Sequence, residues 1–301
     1  MEGASKPREM PPLPSPGVSL PPALLSRIGA FATHVSAARE REEVGRRRTL
    51  QGDGQEFVGH RPYRPGEDLR RFDWDLLARL DRPFVRVHRS EAREEWWIGV
   101  DTSASMGVGV PGKLQSAAEA AAAAIAVGLR LGARITLVAQ GPAGAPVRVD
   151  LERTADLGRA LGALEGLTAT GSGGLEALLA GGGHSLRARA AGRVLLLGDL
   201  LDVDPASVLR LLGGRRRLHL GQVLAPEEWD PASGGASAFV DPESGLGRWG
   251  GAGERSGLQQ YERSLEAFLE RWSGLAAAHG MSHRVWSTSE AFESFLPDLL
   301  R

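Results

Sequence analysis

The pattern of apolar and polar positions changes character several times along the chain. Residues 1–22 include PPLPSPGVSLPP; proline at this density disfavours helix and strand alike and predicts an extended, disordered tail. After Pro22, the positions of Leu24, Leu25, Ile28, Phe31, Ala32 and Val35 repeat with helical spacing and predict an amphipathic helix. Glycines at 52, 54, 59 and 66 then punctuate short stretches of β-type residues, EFVGH and PFVRVH. In the second, Val85 and Val87 alternate with Arg86 and His88, the period of a strand. A short helix is expected within DLRRFDWDLLARL.

From residue 96 a regular alternation sets in. Apolar runs WWIGVD (96–101), ARITLVAQ (133–140), PVRVDL (146–151), RVLLLGDL (193–200), RLHLGQVL (217–224) and SHRVWS (282–287) read as strands. Between and after them, helical patterns cover 113–132, 154–167, the stretch from Asp204, 256–280 and the last twelve residues before Arg301. Asp204 before Pro205 is a helix start, and the alanine-rich stripe of 113–130 predicts close packing of helix on sheet. Mostly unbroken apolar strands that alternate with helices predict an α/β fold with a mainly parallel sheet covered on both faces. The expected organisation is a tail (1–22), a helix plus β-rich segment (23–93) and an α/β domain (94–301).

Composition narrows the function classes. The 301 residues carry a net charge of −1, which gives no bulk electrostatic reason to bind nucleic acid or a membrane surface. Absence of cysteine removes disulfides, thiolate metal sites and thiol catalysis. The most apolar helical run, AEAAAAAIAVGL (118–129), falls short of the roughly 20 residues that span a bilayer. MEGASKPREM lacks the apolar core of a signal peptide, so a cytoplasmic protein without membrane insertion is expected.

Candidate chemistry concentrates at the carboxyl ends of strands, where open α/β sheets bind ligands. VDTSASMG sets Asp101, Ser103 and Ser105 at alternate positions just after a strand. Asp199 ends a second strand, and LTATGSGG (167–174) offers Thr168, Thr170 and Ser172 in between. Carboxylate and hydroxyl oxygens suit a hard divalent cation such as Mg²⁺. This arrangement resembles the metal-ion-dependent adhesion site of the von Willebrand factor A fold, with Asp-x-Ser-x-Ser, a middle-loop Thr and a later Asp. The resemblance implies Asp101, Ser103, Ser105, Thr170 and Asp199 as the metal set. Gly173 stands where the family's Thr usually does, so the middle-loop hydroxyl is open between Thr168, Thr170 and Ser172. It also implies a non-enzymatic contact, in which an acidic side chain of a partner completes the metal's shell.

Residues 45–91 carry a second pattern: Gly52–Phe57, then RPYRPGEDLRRFDW (61–74), then Ala78-Arg79. Together with DTSASM and VDPESGLGRW (240–249) it resembles the bacterial family called domain of unknown function 58, over about residues 40–301. The resemblance implies work beside a MoxR-type AAA ATPase in an adaptor-like role. Within the stretch, a turn is expected at Pro65-Gly66, ion pairs among its Arg and acidic residues, and Trp74 as a buried anchor against the sheet domain. A rival class is a metal-assisted hydrolase, for which Asp202 or Glu176 would be the local base. Another is a structural subunit with a vestigial site. His279 and His283, four apart across Gly280 without a third ligand, read as a solvated helix end rather than a zinc site. GVGVPGK (107–113) lacks P-loop spacing, so its Lys113 does not argue for nucleotide binding.

Overall fold

The computed structural model describes residues 17–44, 51–52, 56–64, 72–89, 93–141, 144–171, 174–180, 191–201, 203–212, 217–230, 239–240, 242, 247–248 and 255–300. The chain divides into two compact units, residues 37–93 and the remainder. The first half of helix α1 (Pro22–Val44), expected to group with the β-rich segment, belongs instead to the larger unit.

That unit is built on a six-stranded sheet in the order β11-β8-β7-β4-β5-β6. The strands are β4 (Glu95–Val100), β5 (Arg134–Gln140), β6 (Pro146–Leu151), β7 (Arg193–Gly198), β8 (Arg217–Leu224) and β11 (Ser282–Ser287). Every pairing is parallel except β5 with β6, which makes β6 an antiparallel edge strand. The apolar runs explain this: β7 is buried along its whole length and β4 from Trp96 onward, as strands covered on both faces must be. Successive residues of β4 face opposite layers. Trp96 and Ile98 join one core with helix α3 (Lys113–Arg130), while Trp97 joins another with helix α5 (Gly174–Ala180).

Helix α3 is the reason the first layer is thin. Residues Ala120–Ile125 are fully buried, and alanine keeps the helix close to β4, β5 and β7. Helix α4 (Leu157–Glu165) flanks α3 and β6. Further along follow α6 (Pro205–Leu212), whose start Asp204 caps through Ala206 N–H and Ser207 N–H, and the single turn α7 (Pro226–Trp229). Helices α8 (Arg255–Ala278) and α9 (Phe292–Leu299) complete the unit; α9 closes on α3 and β11, with Phe295 stacked 4.3 Å from Trp286.

Two expectations are corrected here. Residues 17–22 are not a loose tail: Val18 and Leu20 are buried, and Gln115 brackets Ser19 through its backbone N–H and carbonyl. Residues 1–16 lie outside the described residues. In the smaller unit, β1 (Gln51–Gly52), β2 (Glu56–Pro62) and β3 (Phe84–Arg89) form an antiparallel sheet ordered β1-β3-β2, with a bulge between Phe57 and Gly59. Asp73 caps helix α2 (Trp74–Leu80) and meets His60 at 2.7 Å. Trp74, expected as a buried anchor, is 63 % exposed and leans on Phe72. Pro65-Gly66 and residues 67–71 lie outside the described residues. Short strands β9 (Phe239–Val240) and β10 (Gly247–Arg248) pair as a small hairpin within VDPESGLGRW and the residue before it.

The sheet order places the site. The chain leaves β4 for β5 on one side and later returns to β7 on the other side of β4. The carboxyl ends of β4 and β7 therefore flank the point where strand order reverses, the crevice in which such sheets bind ligands.

Candidate functional site

Asp101 and Asp199 are the first residues beyond β4 and β7 and sit side by side at that crevice. Asp101 N–H still bonds Leu197 carbonyl at 2.8 Å, continuing the β4–β7 ladder by one step. A Cβ built on Gly198 would come within 2.7 Å of Asp101 Cβ, and one on Gly174 within 2.3 Å of Asp101 Oδ1. These two glycines leave the space that Asp101 fills.

The two carboxylates use the same local device. Asp101 Oδ1 accepts from Ser103 N–H at 2.8 Å, and Asp199 Oδ1 accepts from Leu201 N–H at 3.1 Å. Each is an Asx turn that lets the chain leave its strand sharply. Leu200 adopts φ 60, a left-handed conformation uncommon outside glycine, between Asp199 and Leu201. Beyond Asp101, Ser103 and Ser105 are buried and their hydroxyl oxygens lie 3.0 Å apart. A 3₁₀ turn (Ala104–Gly107) fixes this spacing, anchored by the buried Met106.

The middle loop is brought alongside by its backbone. Thr170 N–H donates to Thr102 carbonyl, and Ala104 N–H to Gly171 carbonyl. Thr170 itself is exposed and Thr168 half-buried. Ser172, Gly173, Asp202 and the side chain of Glu176 lie outside the described residues.

A neighbour not anticipated from the sequence joins the cluster. Lys113, fully buried at the start of α3, donates to Asp199 Oδ2 at 2.8 Å and to Glu228 Oε1 at 2.6 Å. Burial works to lower its pKa, but Asp199 and Glu228 together raise it, so the ammonium stays charged. Glu228 also accepts from Ala225 N–H at 2.7 Å, and its carbonyl accepts from Tyr261 hydroxyl at 2.7 Å. Asp199's own carbonyl accepts from Gln222, whose Oε1 meets His283 Nε2 at 3.0 Å. His283 is thereby engaged by Gln222 and, at 3.2 Å, by Ser273.

Three carboxylates thus converge on one ammonium, and the imbalance falls on Asp101. Its pKa is pushed up to about 7, first by burial and then by the Asp199 carboxylate, against the relief given by Ser103 and Lys113. Among the described residues no group of three or more His, Asp or Glu side chains is placed to hold a metal. Asp101 with the Ser103 and Ser105 hydroxyls is chemically suited to a hard cation that keeps waters. Asp199 has both oxygens engaged.

Glu228 and Lys113, weighed in the sequence only as a phosphate-loop lysine, are the members of this cluster that local pattern did not point to. One signal was available: Lys113 is one of two lysines among 36 basic residues.

The family model described as "Protein of unknown function DUF58" matches residues 59–267. The chain belongs to this family. Among curated proteins, the DUF58 chain is 31 % identical over 210 residues to "Uncharacterized protein Rv1480" of Mycobacterium tuberculosis (strain ATCC 25618 / H37Rv). It is equally similar to "Uncharacterized protein Mb1516" of Mycobacterium bovis. The match covers 66 % of this DUF58 chain and 64 % of each relative's length. Among solved structures, the conserved hypothetical protein BatB from Bacteroides thetaiotaomicron aligns over 69 % of this chain and 97 % of its own, with TM-score 0.39 and 14 % identity. No helix among the described residues is long and apolar enough to cross a membrane.

Proposed function

We propose that this chain is a non-enzymatic, adaptor-like protein-interaction module on a von Willebrand factor A-like domain, and that its contact surface is the carboxyl edge of the sheet. One observation carries the reading: exposed apolar side chains stand on segments that leave the carboxyl edge, beside the buried oxygen cluster. Val110, Leu201 and Trp229 are exposed on the segments that follow β4, β7 and β8, and the exposed Tyr261 of α8 donates to the Glu228 carbonyl. Among the described residues, the other exposed large apolar side chains, Trp74 and Leu80, belong to the smaller unit. An apolar rim with aromatic anchors around a polar centre is the composition of a protein contact.

Asp101, Ser103 and Ser105 are the residues proposed to hold a divalent cation such as Mg²⁺. The cation would supply an open coordination position for a carboxylate of the partner. A MoxR-type AAA ATPase, implied by the family resemblance, is the partner class we propose, in a cytoplasmic setting. The Lys113–Asp199 pair supports a second reading in which the same edge makes its contact without metal.

A pull-down of a MoxR-type ATPase by the full chain separates these. Capture in Mg²⁺ that is lost in chelator and in Asp101→Ala supports the cation-dependent contact. Capture indifferent to chelator but lost in Trp229→Ser supports the metal-free one. Capture that survives all three treatments places the contact elsewhere and overturns the proposal. Phosphate-ester turnover that disappears in Asp101→Ala would replace it with the metal-assisted hydrolase.

A further inference from the structure

Lys113 sits at the centre of the proposed contact edge, yet the cation reading gives it no role. Its ammonium is shut away from water and satisfied by Asp199 Oδ2 and Glu228 Oε1 at 2.8 and 2.6 Å. An ammonium buried so completely persists only where carboxylates match its charge and accept its protons. Each of these carboxylates is pinned again from its other oxygen, Asp199 by Leu201 N–H and Glu228 by Ala225 N–H. A single side chain therefore ties the first turn of α3 to the ends of β7 and β8. The same link reaches the apolar rim, because Trp229 follows Glu228 and Tyr261 bonds the Glu228 carbonyl.

We propose that Lys113 is a tethered cation of this edge. It takes the place at Asp199 that a metal would otherwise fill, withdraws that carboxylate from the metal's ligand set, and holds the rim on α7 in position whether or not a divalent ion is bound. A divalent ion then rests on one carboxylate and two hydroxyls, beside a fixed positive charge, and exchanges readily. Removing the ammonium frees Asp199 and Glu228 and converts the edge into a tighter metal site that is unstable when empty. The statement about metal ligands rests on the cation reading above; the clamp rests on the two ion pairs alone.

Mn²⁺ titration by calorimetry and thermal melting of the full chain test both parts, using the wild type, Lys113→Met, Asp199→Asn and the double variant. Asp199→Asn is expected to bind Mn²⁺ within about twofold of wild type, whereas loss of a true ligand or its support costs about tenfold or more. Lys113→Met is expected to melt below wild type in chelator, to bind Mn²⁺ at least about tenfold more tightly, and to regain its melting temperature when loaded. The double variant should recover part of the melting loss and lose the tight binding, a non-additive cycle. A tenfold weakening in Asp199→Asn puts Asp199 among the ligands and overturns the proposal, and additive melting losses overturn the clamp. Should Lys113→Met not fold, the Asp199→Asn titration decides, since that variant keeps Lys113 paired with Glu228. Absence of Mn²⁺ binding from all four proteins overturns the cation reading and with it the claim on metal ligands; a non-additive cycle still supports the clamp.

Discussion

Among the described residues, the two ends of the same sheet each bury one Lys or Arg side chain, and they use it differently. At the amino end of β7, Arg193 lies over the ring of Trp96 at 4.8 Å, meets His219 at 3.0 Å, and donates to the Leu300 carbonyl. Its carboxylate neighbour, Glu94, is 3.5 Å away and 40 % exposed. At the carboxyl end, Lys113 faces two carboxylates with Asp101 as a third beside them. The guanidinium closes the fold by stacking on the Trp96 ring of β4 and holding the end of the last helix through its Leu300 backbone carbonyl. The ammonium leaves negative charge over, on an edge rimmed by exposed apolar groups. A buried cation that is matched or shared with water marks a fastening; one outnumbered by buried carboxylates marks a place where something positive is still wanted.

Lys113→Met is the strongest way to break this contrast. Removing one member of a buried pair costs on the order of 3–5 kcal/mol, because the partner is left charged and dry. Lys113 has one such partner in Asp199 and a second, 18 % exposed, in Glu228, so the melting temperature in chelator should fall by roughly 10 °C. Arg193→Met should lose stability as a broken fastening does, with Mn²⁺ affinity unchanged; tighter Mn²⁺ binding in both variants would erase the distinction.

Gly198→Ala comes next. The added methyl would press within 2.7 Å of Asp101 Cβ and 2.9 Å of its Oδ2, an overpacking worth about 1–3 kcal/mol. Chemical denaturation should show the loss, and Mn²⁺ binding should weaken with it because Asp101 must move. A variant as stable as wild type would mean that the two strand ends are less tightly apposed than described.

Asp101→Asn has an unusual sign. Asp101 titrates near 7 in the fold against an ordinary 3.8. Between those values the folded chain holds a proton that the unfolded chain releases, so stability falls as pH rises through this window and the full cost is carried above pH 7. An asparagine keeps the bond from Ser103 N–H without the charge. In chelator, the variant should melt a few degrees above wild type at about pH 8 and level with it at about pH 4. A difference that does not change with pH would show that burial and Asp199 do not load Asp101 as argued.

Much of the sheet unit was legible because its signals are local. Short stretches rich in β-branched and other apolar residues gave the strands: PVRVDL, RLHLGQVL and SHRVWS coincide with β6, β8 and β11. Asp204 before Pro205 gave a helix start because capping needs only neighbouring atoms. Where a local signal misled, packing decided. Proline-rich residues 17–22 read as a tail, yet Val18 and Leu20 found an apolar surface to cover. Trp74 read as an anchor from its bulk, and it is exposed.

The sequence by itself determined which residues end strands, and so that Asp101 and Asp199 stand at carboxyl ends with Ser103 and Ser105 on the following turn. Periodicity and turn chemistry act over a few residues, and that information is complete within them. Only the tertiary structure decided that β7 lies next to β4, which sets the two carboxylates, 98 positions apart in the chain, side by side. It alone brought Lys113 and Glu228 together, residues 115 apart, because charge pairing at that separation depends on strand order and burial, which no short window of sequence contains.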